Sequence, residues 1–282
     1  MESSSPLEAR RFEPHHWLVA LDIDGTVLHE DGTLSDAVVE QVRRVRDAGH
    51  EVTLATGRSV AMTLPVAEKL EITPEYIVCS NGAITLKRDE SVPRGYRREH
   101  VEHFDPTPVL QSIKEKLPNA NYAVENETGL YRFTGWFPEG ALDVETEEVE
   151  FDELLTTVAT RVVVIAPSHD ADEFMAAVDQ LGLHQVSYAV GWTNWLDIAP
   201  DGINKSTALE RIRGSLGFPR SRVMAIGDGR NDIEMMQWAA EEGRAVAMGQ
   251  APDEVKIHST EVTTSDREDG VAWALESLSA TP

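Results

Sequence analysis

The sequence is poor in cysteine and in long apolar runs, and each shortage excludes a class of protein. Its one cysteine, Cys79, excludes a disulfide framework and a cysteine-based metal site. Cys79 ends an apolar run and is expected to be a small core residue. No apolar stretch approaches the roughly 20 residues that cross a bilayer. Because the first residues also lack the pattern of a signal peptide, we expect a cytoplasmic protein with a frayed N-terminal tail.

Basic residues are also scarce. The chain has 25 Lys and Arg against 49 Asp and Glu, and its formal net charge is −24 at pH 7. This charge argues against nucleic-acid partners and anionic membranes, and it would repel an anionic substrate at long range. Such a substrate would need local positive groups, helix N-termini or a bound cation. The 282 residues are 41% hydrophobic and 26% charged, which is typical of a globular protein with one large or two moderate domains.

Two acids follow the first apolar run of the chain. Leu18 to Leu21 has the length of a buried strand, and Gly25 breaks it. Asp22 and Asp24 lie two residues apart, so an extended chain points both carboxylates the same way. They therefore stand at the carboxyl end of a strand, where open α/β sheets bind their ligands.

Both ends of the chain alternate between strand and helix patterns. Residues 17–83 read β-α-β-α-β, with strands at 18–21, 51–55 and 76–79. Residues from 205 onward continue in the same way, with helices at 205–216 and 232–240, strands at 222–226 and 244–248, and three short elements after residue 252. This alternation predicts an α/β fold with a doubly wound, Rossmann-like parallel sheet.

The middle of the chain has a different character. Short strand patterns there alternate with helices at 107–117 and 170–181, and an acidic run at 143–153 is expected to be a solvated loop or helix face. We predict an inserted α+β domain with an antiparallel sheet over residues 85–195. Residues 1–84 and 196–282 would then form the core.

Four groups of polar residues lie at the boundaries of the predicted core elements. They are Asp22-Ile-Asp24-Gly25-Thr26, Thr56-Gly57-Arg58, Asn204-Lys205-Ser206 and Gly227-Asp228-Gly229-Arg230-Asn231-Asp232. In type and order they resemble the four motifs of the haloacid dehalogenase superfamily. The insert lies between the second and third motifs, which resembles the Cof-like hydrolases (class IIB) with their C2-type cap. The resemblance implies a phosphate-ester hydrolase whose cap determines substrate specificity.

These residues suit phosphoryl transfer, which needs a nucleophile, a proton donor for the leaving oxygen and charge neutralisation. Asp22 is the expected nucleophile and would form an aspartyl-phosphate. Asp24 is expected to protonate the leaving alcohol and then to activate water. Thr56 would hydrogen-bond a phosphoryl oxygen, and Lys205 would place a positive charge beside Asp22.

A bound cation is expected, because neighbouring carboxylates would otherwise repel a phosphate. Mg²⁺ suits the site, since it binds a few carboxylates together with phosphate oxygens. The expected ligands are the carboxylates of Asp22 and Asp228 and the backbone carbonyl of Asp24. Asp232 or Asn231 would act directly or through water.

Further groups are expected on the substrate side. The N–H groups around Gly57 can donate to phosphate, and Asn81 and Asn231 are candidates for binding substrate. For Arg58, a contact with phosphate and a pairing with an acid are equally plausible roles. Asn81 could also be only a turn residue.

Some residues have a simpler structural alternative. Thr56 and Asp232 are also typical helix caps, whereas Lys205 as a surface lysine is disfavoured, since a helix N-terminus is a poor place for a cation. In the cap the candidates are Glu125, Asn126, Trp192 and Trp195.

The acid at position 24 narrows the reaction. By the resemblance, dehalogenases lack Asp at this position and ion-pumping ATPases carry Thr, whereas Asp accompanies phosphomonoester hydrolysis or phosphomutase activity. The sequence therefore predicts a Mg²⁺-dependent phosphatase of a small phosphorylated metabolite, most simply a sugar phosphate. A sugar phosphomutase and a non-catalytic phosphometabolite-binding protein are the alternatives. The sequence leaves the substrate and the oligomeric state open.

Overall fold

The computed structural model describes residues 13, 15–29, 31–138, 141–142, 145–180, 186–190 and 194–278, so the predicted N-terminal tail lies largely outside the described residues. The chain begins with β1 (Leu18–Leu21), α1 (Asp36–Asp47), β2 (Glu51–Leu54), α2 (Val60–Lys69), β3 (Tyr76–Cys79), β4 (Ile84–Arg88) and β5 (Tyr96–Val101). It continues with α3 (Thr107–Lys116), β6 (Asn121–Glu125), β7 (Tyr131–Thr134), β8 (Thr146–Glu148), α4 (Phe151–Leu154), β9 (Arg161–Ile165), α5 (Ala171–Asp179), β10 (Val186–Val190) and β11 (Trp195–Pro200). It ends with α6 (Lys205–Leu216), β12 (Val223–Gly227), α7 (Ile233–Ala240), β13 (Arg244–Ala247), α8 (Asp253–Lys256), β14 (Glu261–Val262) and α9 (Gly270–Glu276). In this described part, no helix has both the length and the apolar character needed to cross a bilayer.

A parallel sheet forms the centre of the core. Its strand order is β14-β13-β12-β1-β2, and β1 pairs in parallel with β12 on one side and with β2 on the other. β3 joins this sheet beyond β2 through a parallel bridge between Ala55 and Val78. Strands from both ends of the sequence thus build the same sheet.

Helices cover both faces of this sheet. Successive side chains of β1 alternate between the faces: Val19 and Leu21 pack in a buried cluster with α1, α2 and α9, and Leu18 and Ala20 pack in another with α6, α7 and α8. The predicted doubly wound α/β fold is therefore confirmed. Cys79 is buried in the first of these clusters.

The start of α6 is fixed by its cap. Asn204 is the N-cap residue, and its side chain accepts a hydrogen bond from the N–H of Thr207 at 3.1 Å. The hydroxyl of Thr207 accepts in turn from the N–H of Asn204 at 3.2 Å. This reciprocal cap sets the first helical turn, and so it positions Lys205, the first residue of the helix.

The inserted segment forms a sheet of its own with the order β10-β11-β9-β6-β7-β8. Its pairs are antiparallel, except that β7 and β8 run parallel. One face packs against α3, α4 and α5 around a buried apolar cluster. The prediction of an inserted α+β domain with an antiparallel sheet is confirmed. The described part of the acidic run is an exposed strand and a short helix, and the predicted solvated loop is wrong for β8, whose Glu147 pairs with Arg132 on β7 at 3.0 Å.

The predicted domain limits at 84/85 and 195/196 stay a prediction, and the strand pairing favours later crossings at both. β4 pairs with β3, β5 pairs with β4, and Ile84 and Leu86 lie in the core cluster. β11 pairs with β9 and β10 of the inserted sheet. We therefore propose that the chain passes into the cap at 102–106 and returns at 201–204.

Candidate active site

Polar residues meet at the carboxyl edge of the parallel sheet. Asp22 directly follows β1, Asp228 follows β12 and Ser80 follows β3. Thr56 lies two residues beyond β2, and Lys205 is the first residue of α6. Because the carboxyl ends of parallel strands lie at one edge of a sheet, the topology brings these side chains together.

Lys205 is fully buried between two carboxylates. Its Nζ lies 2.6 Å from Oδ1 of Asp22 and 2.6 Å from Oδ1 of Asp232. Burial alone would lower the pKa of Lys205, but the two acids raise it above its ordinary value. This pairing explains why a cation stands at the start of a helix, and it excludes the alternative of a surface lysine.

Asp22, Asp228 and Asp232 form a buried carboxylate cluster. They offer ligand oxygens that lie within 4.8 Å of one another. Burial, followed by repulsion from Asp232, raises the pKa of Asp22 well above its ordinary value, and the same two effects raise the pKa of Asp228 to about 7. Lys205 opposes both shifts but supplies only one positive charge for three acids. The excess negative charge and the oxygen donors fit a hard divalent cation.

Asp232 uses both of its carboxylate oxygens. Its Oδ1 binds Lys205, and its Oδ2 accepts hydrogen bonds from the N–H groups of Asp228 and Gly229, each at 2.9 Å. Its side chain makes no capping hydrogen bond to α7. Asp232 therefore fixes the loop that carries Asp228, and the predicted alternative of a cap on the helix that follows is wrong.

Asp24 lies apart from the buried cluster, with 63% of its side chain exposed. Arg58 binds its carboxylate through Nε at 2.9 Å and Nη2 at 2.5 Å. Of the two alternatives for Arg58, the structure shows the pairing with an acid. The carboxylate of Asp24 is therefore not among the clustered ligand oxygens, which leaves its backbone carbonyl as the predicted metal contact.

The remaining predicted residues are neighbours. The buried hydroxyl of Thr56 accepts from the N–H of Arg58 at 3.1 Å, which leaves its proton available for a ligand, while Ser59 caps α2 instead of Thr56. Asn81 has a left-handed backbone at φ 52°, and its Oδ1 accepts from Nδ2 of Asn231 at 3.1 Å. A Cβ on Gly57 would lie 3.2 Å from the Asn81 side chain. The structure thus brings this predicted group together.

Comparison with known proteins identifies the family. The sequence profile of the haloacid dehalogenase-like hydrolases matches residues 19–275. This chain belongs to the haloacid dehalogenase-like hydrolases. The match includes all four motifs and the insert, so the predicted family is confirmed.

Relatives of this hydrolase are named phosphatases. The 5-amino-6-(5-phospho-D-ribitylamino)uracil phosphatase YcsE of Bacillus subtilis is 30% identical over 258 residues, covering 92% of this chain and 94% of YcsE. YitU of the same organism has the same named activity and is 28% identical, covering 94% of this chain and 98% of YitU. The predicted enzyme class, a phosphatase of this family, is confirmed.

A solved structure has the same fold as this hydrolase. BT4131, described as a sugar phosphatase of HAD subclass IIB, superimposes with a TM-score of 0.76. The superposition covers 94% of this chain and 100% of BT4131, at 20% sequence identity. The two proteins therefore share both the core and the cap.

Three polar contacts of this hydrolase were missed by sequence reasoning. The hydroxyl of Thr26 donates to Oδ1 of Asp228 at 3.2 Å, and Gln250 donates to the carbonyl of Gly25 at 2.5 Å. Ser80 donates from its hydroxyl to Glu125 of the cap at 3.0 Å. Gln250 follows the carboxyl end of β13, and this position at another strand end was the available signal.

The cap candidates have different surroundings. Glu125 is buried against Ser80, Asn126 accepts backbone hydrogen bonds within its own turn, and Trp195 packs edge-to-face on Phe137. Trp192 lies outside the described residues. Of the candidates that the structure describes, Glu125 is the one with a hydrogen bond to the core, through Ser80.

Proposed function

We propose that this hydrolase is a Mg²⁺-dependent phosphatase that acts on a small phosphorylated metabolite through an aspartyl-phosphate on Asp22. The observation that carries the proposal is the buried Asp22 carboxylate, held by Lys205 beside Asp228 and Asp232 at the ligand-binding edge of the sheet. Such a carboxylate is oriented and shielded from water, as a nucleophile towards phosphorus requires.

The residues of the chain divide the reaction between them. Lys205 occupies Oδ1 of Asp22, so Oδ2 is the oxygen that attacks phosphorus. Asp24, accessible and oriented by Arg58, gives a proton to the leaving oxygen and later takes one from the attacking water. The Thr56 hydroxyl and the Asn81 amide bind phosphoryl oxygens. These roles support in-line transfer with the nucleophile and the acid at separate positions of the loop that follows β1.

The cluster would hold Mg²⁺ through Asp22 and Asp228, with the carbonyl of Asp24 and with Asp232 near the ion. When bound, the ion neutralises charge on the phosphoryl group and on the carboxylates. Its charge would offset the repulsion that raises the pKa values of Asp22 and Asp228. The raised pKa values support this assignment, because burial and then repulsion among the acids raise them, and one lysine offsets these effects only in part.

The substrate class is proposed to be a monophosphate of a hydroxyl-bearing alcohol, with sugar phosphates as its simplest members. The names of YcsE and YitU add the ribityl monophosphate of a pyrimidine to the substrates worth testing. Both kinds of molecule present a primary phosphate next to a polyol, and both are small enough to lie beneath a cap.

The test of the mechanism is the hydrolysis of p-nitrophenyl phosphate with Mg²⁺. Asp22→Asn is expected to abolish turnover, because the amide is a poor nucleophile, while the exposed Asp36→Asn keeps wild-type activity. EDTA is expected to remove activity and Mg²⁺ to restore it. Undiminished hydrolysis in the Asp22→Asn protein would reject the aspartyl-phosphate.

The substrate is tested by phosphate release over sugar phosphates, nucleotides, pyridoxal phosphate and the ribitylaminouracil phosphate. Free phosphate with Mg²⁺ supports the hydrolase. An isomeric sugar phosphate without phosphate release would indicate a mutase instead. Thermal stabilisation by these ligands without turnover of any of them would indicate a binding protein.

A further inference from the structure

A cavity of about 250 Å³ lies between the cap and the core motifs. Asn81, Asn204 and Asn231 line it from the core, and Arg161, Ser187 and Asp197 line it from the cap sheet. Its volume lies just below the usual range for ligand sites, roughly 300–1,000 Å³, so it suits a small leaving group. Because it adjoins the neighbours of Lys205 and Asp232, it is the space next to the reacting phosphate.

Arg161 is held in one orientation by a chain of hydrogen bonds. Its Nε and Nη2 bind the two carboxylate oxygens of Asp197 at 2.6 and 3.0 Å, and its Nη1 donates to the hydroxyl of Tyr131 at 3.0 Å. Tyr131 and the core residue Ser80 both donate to the same oxygen of Glu125 at 3.0 Å. Three of the five N–H donors of the guanidinium are therefore engaged, and these contacts hold the group in one orientation.

The arginines at this cavity are paired with acids, and acids are in excess. Among the described residues that line it, Arg161 is neutralised by Asp197, and Arg230 pairs with Glu254 at 2.5 Å. Glu234 adds another acid to the lining. A second phosphate in the cavity would meet guanidinium groups that are already paired, together with acids that repel it.

We propose that Asp197 is a specificity-determining residue that makes the cavity select an uncharged, hydroxyl-bearing leaving group and reject a second anionic group. Each carboxylate oxygen of Asp197 keeps a lone pair with which to accept a substrate hydroxyl. Ser187 pairs with Ala199 on the neighbouring strand, which places it on the same face of the sheet as Asp197, where its hydroxyl can add a further contact. This inference rests on the proposed function, because it assigns the leaving-group side of the same site.

The proposal also separates hydrolase from mutase. A sugar phosphomutase that returns its phosphoryl group to a second hydroxyl passes through a sugar bisphosphate, so its cavity must hold a second phosphate. Because Arg161 is paired with Asp197, its positive charge is not available to bind the second phosphate of such an intermediate.

The test measures binding, so that it does not depend on turnover. In the Asp22→Asn protein with Mg²⁺, calorimetry gives the Kd of glucose 6-phosphate and of glucose 1,6-bisphosphate. We expect the monophosphate to bind at least about tenfold more tightly than the bisphosphate. Asp197→Asn keeps an acceptor for Arg161 but leaves the guanidinium uncompensated, and it should shift the affinity ratio towards the bisphosphate by about tenfold or more.

Ser187→Lys covers the case in which Asp197→Asn fails to fold, because it adds a positive charge to the same wall without breaking the buried pair. Ser187→Gln is the control for side-chain size, and it should weaken the binding of both ligands by the same factor. Glu147→Gln, which removes an exposed ion pair at the far edge of the cap sheet, should leave the Kd of both ligands unchanged.

A bisphosphate that binds as tightly as the monophosphate, or a ratio that is unchanged in both charge variants, would overturn the proposal. Absence of binding by either ligand would overturn it as well. Failure of wild-type protein to hydrolyse p-nitrophenyl phosphate would reject the proposed function, and the binding ratio would still be measurable.

Discussion

Arg58 holds the carboxylate of Asp24 by two hydrogen bonds, from Nε to Oδ2 at 2.9 Å and from Nη2 to Oδ1 at 2.5 Å. The two residues come from the loops after β2 and β1 and are 34 positions apart. Asp24 is largely exposed, so this pair, more than burial, determines where its carboxylate points. A proposed general acid is thus oriented by a neighbouring motif of the family.

Loss of this orientation should reduce the rate more than the affinity. Arg58→Ala is expected to lower kcat about tenfold or more with a small change in KM, because general acid–base catalysis depends on the position of the acid. The kcat of Arg58→Lys should lie between that of the wild type and that of Arg58→Ala, since lysine keeps the charge and loses the bidentate contact. Arg43→Ala, which breaks an exposed ion pair with Glu71, is the control. An effect confined to KM would instead make Arg58 a phosphate ligand.

Two glycines form a matched pair for testing the metal site. Gly25 and Gly32 both have a left-handed backbone, at φ 70° and 79°, so Ala costs about 1–2 kcal/mol of stability at either. A Cβ on Gly25 would lie 2.4 Å from Oδ2 of Asp228, whereas a Cβ on Gly32 meets nothing within 4 Å. We therefore expect Gly25→Ala to weaken Mg²⁺ binding by calorimetry and to reduce kcat. Gly32→Ala should only lower Tm, and equal Mg²⁺ affinities in the two variants would contradict the assignment of Asp228.

Replacement of Lys205 should destabilise the metal-free protein. Lys205→Met leaves Asp22 and Asp232 buried without their cation, and such a change costs about 3–5 kcal/mol of unfolding free energy. Denaturant unfolding in EDTA measures this loss, and Mg²⁺ should recover part of it. The double variant with Asp232→Asn should lose less than the sum of the single changes, because it removes one uncompensated charge. Additive losses would show that the two residues are not coupled.

The stability of the metal-free protein should fall as pH rises towards neutrality. The pKa of Asp228 is about 7 in the folded chain and ordinary in the unfolded chain, so the folded state binds the proton more tightly. Its contribution is fully present below about pH 4 and is lost as pH rises through about 7.

Thermal unfolding in EDTA is the measurement, and Tm should be higher near pH 6 than near pH 8. Asp228→Asn should flatten this part of the profile, which separates the contribution of Asp228 from that of other groups. Saturating Mg²⁺ should also reduce the dependence of Tm on pH, since the ion binds the ionised carboxylates. An unchanged slope in the Asp228→Asn variant would reject this account.

The central sheet and the strand-end motifs were predictable because both rest on local patterns. Apolar runs of strand length and breakers such as Gly25 predicted β1 and its neighbours, and parallel topology then required Asp22, Thr56 and Asp228 to share one edge. β8 was missed, since its short acidic segment carries no apolar alternation and forms an exposed edge strand on β7. Gln250 was missed because its position after β13 was its only signal, and a lone amide there matches no motif.

By itself, the sequence determined the family and the phosphatase class, and it predicted the acids and the lysine of the site, because motif chemistry depends on residue type and spacing. Only the tertiary structure decided which atoms meet. It assigned Arg58 to Asp24, gave Asp232 both Lys205 and the Asp228 loop, and set Arg161 against Asp197. The Lys205–Asp232, Arg58–Asp24 and Arg161–Asp197 contacts join side chains that lie 27 to 36 positions apart along the chain. Strand register and loop conformation, not sequence spacing, fix these distances.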